Sequence, residues 1–185
     1  MRRRRLTETY EMSLVVEPNI DIVVDNMVAE WGGSPLPELA VFLVFLRYLA
    51  LVHQTHHWVS KGGTFYGDHL LFERLYDGVS GEIDSIAEKI VGLGHESSVD
   101  LPLQVKQVDK LVAGSNRTST IPRPSELARQ SFVAEMSFLK AASRLTQTLK
   151  ERGLLTRGLD NLLAGIEDKH EGHVYLLKQR ISEGA

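Results

Sequence analysis

The chain has 185 residues, 43% hydrophobic and 24% charged, which suits one globular domain with a single core rather than a disordered chain. Its formal net charge of -3 gives no general attraction for nucleic acid, and the absence of cysteine excludes disulfides and thiolate chemistry. Any metal has to be held by His, Asp, Glu or backbone oxygen, a donor set that favours iron, zinc and manganese.

In chain order, MRRRR opens the sequence with no apolar stretch behind it, unlike a secretory signal. Residues 1–34 have mixed polarity and end in Gly32-Gly33-Ser34. We read them as an N-terminal extension, in which VVEPNIDIVV carries β-formers, and residues 35–185 as one domain. Ser34-Pro35 resembles an N-cap followed by a first-turn proline, predicting a helix over 35–60. Its run LAVFLVFLRYLALV, residues 39–52, is short for a bilayer and is interrupted by Arg47. That predicts a buried helix, no membrane and a cytoplasmic protein. Gly62-Gly63 ends this helix, and a second is predicted over 65–93. Phe72, Leu75, Val79, Ile83, Ile86, Ile90 and Leu93 form its inward stripe, spaced in threes and fours. Gly94 stops it. Residues 94–122 make a long connection with a short helix, LPLQVKQVDKLV, and a polar loop, GSNRTST. A third helix runs from Pro122-Arg123-Pro124-Ser125 to about Arg152, with Phe132, Met136, Leu139, Ala142, Leu145 and Leu149 inward. After Gly153 a fourth runs over 155–182, with Leu159, Leu162, Ile166, Leu177 and Ile181 inward. The fold class is therefore all-α, a four-helix bundle with a long crossover between the second and third helices. Such a crossover lets the third helix run parallel to the second and returns the end of the fourth to the Lys61-Gly62-Gly63 turn.

Four of the seven histidines, His53, His56, His57 and His69, surround that turn. Beside the apolar stripe of the second helix runs another: His69, Glu73, Asp77, Asp84 and Glu88. A solvated acidic face is one account of it. Against that account, Asp84 and Glu88 are like charges at i,i+4, which repel unless a cation lies between them, and the stripe borders the core. His69 and Asp84 are fifteen positions apart, about 22 Å on one helix, so they cannot hold one ion within one chain. The turn folds His57 against His69. One chain thus offers a histidine end (His57, His69, Glu73) and a distant carboxylate end (Asp84, Glu88). Two copies packed antiparallel about a two-fold axis would join the ends into two equivalent sites.

The stretch HWVSKGGTFYGDHLLFERLYDGVSGEIDSIAEKIVGLG, residues 57–94, resembles the Dps proteins, or miniferritins, of the ferritin-like superfamily. The shared pattern is His57-Trp58, Lys61-Gly62, Phe65, His69, Glu73, Asp84 and Glu88, with Glu73 where the family usually has Asp. The order of elements agrees over roughly 35–182. The resemblance implies a ferritin-like bundle assembled from dimers into a hollow shell of twelve. It implies ferroxidase activity: iron(II) is oxidised by hydrogen peroxide or oxygen and stored as iron(III) mineral, which protects against oxidative damage. It also implies that His57, His69 and Glu73 of one chain and Asp84 and Glu88 of another serve as iron ligands, with Trp58 as an electron donor.

His170 and His173 lie on the inward stripe of the fourth helix, one turn after Glu167. They are either satisfied core histidines or an additional metal position, for iron or zinc, using His53 or Glu167 as well. The pair His-x-x-His resembles a variant of some cyanobacterial family members. His53 could instead support His57; His56 reads as packing and His95 as solvent-exposed. Arg2, Arg3, Arg4 and Arg5 are either a solvated start or a contact for DNA phosphates. A DNA-binding, nucleoid-associated protein with a secondary metal site is the alternative function, and a helical interaction protein using residues 6–34 a third.

Overall fold

A computed structural model describes residues 19–114 and 124–182. Arg2 to Arg5 and the loop GSNRTST from Ser115 onward lie outside them.

Among the described residues six α-helices form: α1 Ile20–Glu30, α2 Pro37–Val59, α3 Phe65–Gly92, α4 Leu101–Gly114, α5 Pro124–Glu151 and α6 Arg157–Ser182. A short 3-10 turn, Glu96–Val99, precedes α4. The four long helices and the crossover helix agree with the sequence to within about two residues at each end. Helix α2 starts two residues later than expected, because Pro37, not Pro35, occupies its first turn. Ser34 acts upstream of the helix, its Oγ accepting the Leu36 N–H at 3.2 Å.

The described part of VVEPNIDIVV begins at Asn19 and is helical from Ile20. Asn19 caps α1 by accepting the Asp21 N–H at 3.1 Å, and α1 then buries Val24 and Met27 with the following Trp31. Trp31 Nε1 donates to Gln107 Oε1 at 2.8 Å, and Gln107 Nε2 donates to the Met27 carbonyl at 3.0 Å. Tertiary packing here overrides local β preference.

Apolar on all sides, α2 needs cover all round, and it packs against α1, α3, α4 and α5. At 23 residues it is long and apolar enough to cross a bilayer, but most of it is buried among the other helices. Phe42 meets Phe138 of α5 edge-on, ring centroids 5.2 Å apart. Its buried Glu38 is held by Arg152 Nη1 at 2.5 Å, which ties the start of α2 to the end of α5.

The bundle direction follows from contacts at its ends. Leu127 and Ala128 of α5 and Leu177 of α6 cluster with Phe72 and Leu75. So α5 starts, and α6 finishes, beside the start of α3. Buried Asp68 takes two bonds from Arg180, 2.5 Å from Nε and 3.1 Å from Nη2, clamping the end of α6 beside the histidine turn. At the opposite end α5 closes with Gly153 at φ 69°, where the Leu154 N–H reaches the Leu149 carbonyl at 2.9 Å. That left-handed position costs glycine little.

The inward stripes need correction on three helices. On α3 the buried position is Glu82, not Ile83, which is only partly buried, and Leu93 just beyond the helix is exposed. On α5 Ala142, Leu145 and Leu149 are buried as expected, but in the first half the seam is rotated by one residue: Ser131, Ala134, Glu135, Phe138 and Ala141 are buried, whereas Phe132, Met136 and Leu139 are partly so. On α6, Leu163 is buried in place of Leu162, and Ile181 is partly buried.

Candidate metal-binding sites

Two clusters of imidazole and carboxylate groups exist among the described residues. The first is the histidine turn. The reversal through Lys61-Gly62-Gly63, with Gly62 at φ 85°, brings α3 back along α2. His57 and His69 stack with ring centroids 3.7 Å apart and planes 23° apart. Each ring is anchored to the other residue's backbone: His57 Nδ1 donates to the His69 carbonyl at 2.9 Å, and His69 Nδ1 to the His57 carbonyl at 3.1 Å. A carbonyl only accepts, so both Nδ1 atoms carry a hydrogen, and Nε2 is the nitrogen each ring has left for a ligand. That is the arrangement in which a histidine is orientated to bind a metal. Tyr76 packs edge-on against His57 at 5.3 Å and Phe65 against His69 at 5.0 Å. Desolvation and the carboxylates of Asp77 and Glu73 push the Tyr76 hydroxyl above its ordinary pKa.

Glu73 stands one turn beyond His69, half-buried, while Asp84 and Glu88 are exposed further along α3. Because α3 is one unbroken helix of 28 residues, Asp84 lies about 22 Å from His69. The structure joins His57 to His69 and keeps Asp84 and Glu88 away from them. Trp58 is 67% exposed.

The second cluster lies inside the bundle. His53, Glu135 and His170 are fully buried, Glu82 is 2% exposed and His173 8%. His53 does not support His57; its Nε2 donates to Glu135 Oε1 at 2.8 Å. His173 Nδ1 meets the same oxygen at 3.1 Å. His170 bridges two carboxylates, Nδ1 to Glu135 Oε2 at 2.5 Å and Nε2 to Glu82 Oε2 at 2.8 Å. Lys169 Nζ lies 3.4 Å from Glu82 Oε1, outside hydrogen-bond geometry. Ser131 Oγ links His56 Nδ1, at 2.7 Å, to His53 Nδ1, at 3.1 Å. Burial opposes charge on all of these groups, and the outcome differs by site. His170 is raised to about 9, because its bonds to Glu135 and Glu82 outweigh burial. Burial likewise raises Glu135, yet the three histidines hold it well below the usual carboxylate range. Burial prevails at His53 and lowers it.

Glu167 is not at this cluster; it pairs with Thr146 Oγ1 at 3.2 Å. His95 is half-buried. Glu82, Glu135 and Ser131 were missed in the sequence, although each interrupts an apolar seam at a core spacing. Among the described residues, one trio brings three potential ligand atoms within 4.8 Å of one another: Glu135, His170 and His173.

No family model matches the chain. A protein of Brevibacillus brevis named DNA protection during starvation protein is 23% identical over 167 residues, 90% of this chain and 97% of its own. The protein of that name from Helicobacter pylori strain J99 is 28% identical over 97 residues; this covers 52% of the present chain and 65% of the relative, just under two thirds. Among solved structures, Dps from Thermosynechococcus elongatus superposes with a TM-score of 0.67 at 18% identity, over 89% of this chain and 95% of that one. A Dps protein from Vibrio cholerae O1, described as a member of a broad superfamily of ferritin-like diiron-carboxylate proteins, gives 0.66 at 16% identity over 86% and 91%. At these identities the superpositions establish the fold.

Proposed function

We propose that the chain is a member of the Dps family of ferritin-like proteins, as its similarity to proteins named DNA protection during starvation protein supports, and that it oxidises iron(II) and stores the product as iron(III) mineral in a dimer-built homo-oligomeric shell of twelve. Two iron(II) ions give one electron each to hydrogen peroxide, whose O–O bond breaks; with water the products are iron(III) oxyhydroxide and protons. Oxygen is the other oxidant to compare. Iron is the substrate, held by His57, His69 and Glu73 of one copy and Asp84 and Glu88 of the next.

One observation carries this reading: His57 and His69 are both locked through Nδ1, with Nε2 left for a ligand, while Asp84 and Glu88 are out of reach on the same unbroken helix. A groove beside α3 supports the second copy. Arg47, Leu51, Ile83, Leu101, Gln104 and Val105 line it, with Leu101 61% and Val105 60% exposed. The buried Gln104 amide and Arg47 Nε have no hydrogen-bond partner among the described residues.

Complementation tests the shared site. His57→Ala/His69→Ala and Asp84→Ala/Glu88→Ala proteins should each lose at least about tenfold in iron(II) oxidation rate. Co-assembled from equal amounts, they should regain about a quarter of the wild-type rate, because half the dimers are mixed and each mixed dimer rebuilds one of its two sites. No recovery in shells of unchanged mass sinks the two-copy site.

A second reading, favoured by the names of the relatives, is DNA binding through Arg2, Arg3, Arg4 and Arg5, which would place the cytoplasmic protein on the nucleoid. Gel shifts at low salt should weaken when residues 2–5 are removed, with a salt slope reduced by roughly 3.6 per chain engaged. An unchanged shift refutes the contact.

A further inference from the structure

The interior cluster has no part in the two-copy site, and its chemistry points beyond it. The four long helices each supply a polar side chain at one level of the bundle: His53 from α2, Glu82 from α3, Glu135 from α5, His170 and His173 from α6. We propose that each chain holds a divalent first-row transition ion inside its own bundle, on Glu135, His170 and His173, with Glu82 as the carboxylate that orients His170 and His53 as the donor that holds Glu135.

Three observations carry this. The trio already brings one ligand atom each within 4.8 Å of one another, a mixed nitrogen and oxygen set suited to iron(II) or zinc(II). The charges suit a cation: Glu135 is a buried carboxylate with neutral imidazoles as the other ligands, and Glu82, which Lys169 also faces at 3.4 Å, adds a second carboxylate behind His170. Glu82 is bonded through Oε2 to His170 Nε2 at 2.8 Å and faces Lys169 Nζ through Oε1, so it is fixed as the outer carboxylate of a ligating His170. A purely structural role explains the cluster less well, since a buried ion network contributes little that apolar packing would not.

The geometry also assigns separate roles. An ion seated between His170 Nδ1 and Glu135 replaces the proton that now joins them. His170 Nε2–H then still donates to Glu82, the outer carboxylate that commonly orients a ligating histidine. His173 faces the approach. It is slightly exposed, and its Nε2 lies 3.7 Å from where a side chain at Gly78 would begin, so the absence of a side chain there leaves the ring uncovered on the α3 side.

The test uses zinc(II) alone, on full-length protein stripped with chelator. In the Asp84→Ala/Glu88→Ala background, which disables the two-copy site, one zinc per chain should still bind. Adding His170→Ala/His173→Ala should abolish it, and Glu82→Gln should weaken it by about tenfold to a hundredfold. No zinc in the first variant, or unchanged zinc in the second, overturns the proposal. Should the buried substitutions unfold the chain, anomalous diffraction at the zinc edge from the Asp84→Ala/Glu88→Ala protein decides instead. A peak between Glu135, His170 and His173 supports the site, and an empty cluster at saturating zinc refutes it. Loss of peroxide-driven oxidation with retained interior zinc would be a property of the two-copy site alone.

Discussion

The histidine turn and the interior cluster use the same residue types to opposite ends. At the turn, both rings spend Nδ1 on backbone carbonyls and keep Nε2 uncommitted, and the matching carboxylates stand apart on an exposed face. In the interior, Glu135 is engaged by three histidines, and His170 uses both nitrogens on carboxylates. A ligand set at a surface can stay incomplete, because water solvates what is unpaired. A set in the core must neutralise itself or be filled. The incomplete set at the turn is thus what the proposed shared site would complete, whereas the interior set is partnered within one chain.

The same substitution should separate the two regions most strongly. Glu135→Ala strands His170 and His53 in the core and should cost about 3–5 kcal/mol of unfolding free energy. Glu73→Ala at the turn should stay within about 0.5 kcal/mol. Chemical denaturation at one fixed protein concentration measures both, since assembly couples to stability. Equal effects would dissolve the contrast.

That contrast also decides what could be read from sequence. Helix boundaries were legible because glycines at 62, 94 and 153 and the 3.6-residue apolar period are local signals. His69, Glu73, Asp84 and Glu88 stand out as candidates because they recur along α3 at fixed spacing, and His57 because the Lys61-Gly62-Gly63 turn folds the end of α2 against His69. Glu82 and Glu135 were not: each sits on a seam where an apolar residue one position away, Ile83 or Met136, offered an equally regular stripe. Only the tertiary pairing of α3, α5 and α6 reveals that the polar residue faces inward. Asp68 was hidden for the same reason, since its partner Arg180 lies 112 positions away. The helix over Ile20–Glu30 was missed because its β-branched residues compete with helix locally, and its packing against α2 and α5 wins.

The alkaline limb of stability sharpens the comparison next. The folded pKa of His170 is about 9 against an ordinary 6.5. A raised folded value means that its contribution is complete below 6.5 and is lost as pH rises through about 9. Glu135 acts in the other direction and only in acid: held well below 4.5, it contributes above that value and loses its contribution as pH falls. His53 is lowered by burial, so it too disfavours the fold only toward acid. Between pH 6.5 and 9 the decline thus belongs to His170, among Glu135, Glu82 and Lys169, and should amount to about 3 kcal/mol. His170→Gln should flatten it. A slope that survives the substitution would place the responsible pair outside the interior cluster.

The smallest effect is expected at the turn's outer edge. Trp58 follows His57 directly, is 67% exposed and packs into no core cluster, so Trp58→Phe should change stability by no more than about 0.5 kcal/mol. As an electron donor beside the proposed shared site, Trp58 would supply to peroxide-derived oxidant the electrons that iron does not. The substitution should then leave the rate of iron(II) consumption unchanged and increase spin-trapped hydroxyl radical when peroxide is in excess. A fallen rate with unaltered radical yield would mean that Trp58 positions His57 instead. An unchanged rate and an unchanged yield would leave the indole with no part in the oxidation, and the turn would act through its two imidazoles and the carboxylates brought to them by the next copy.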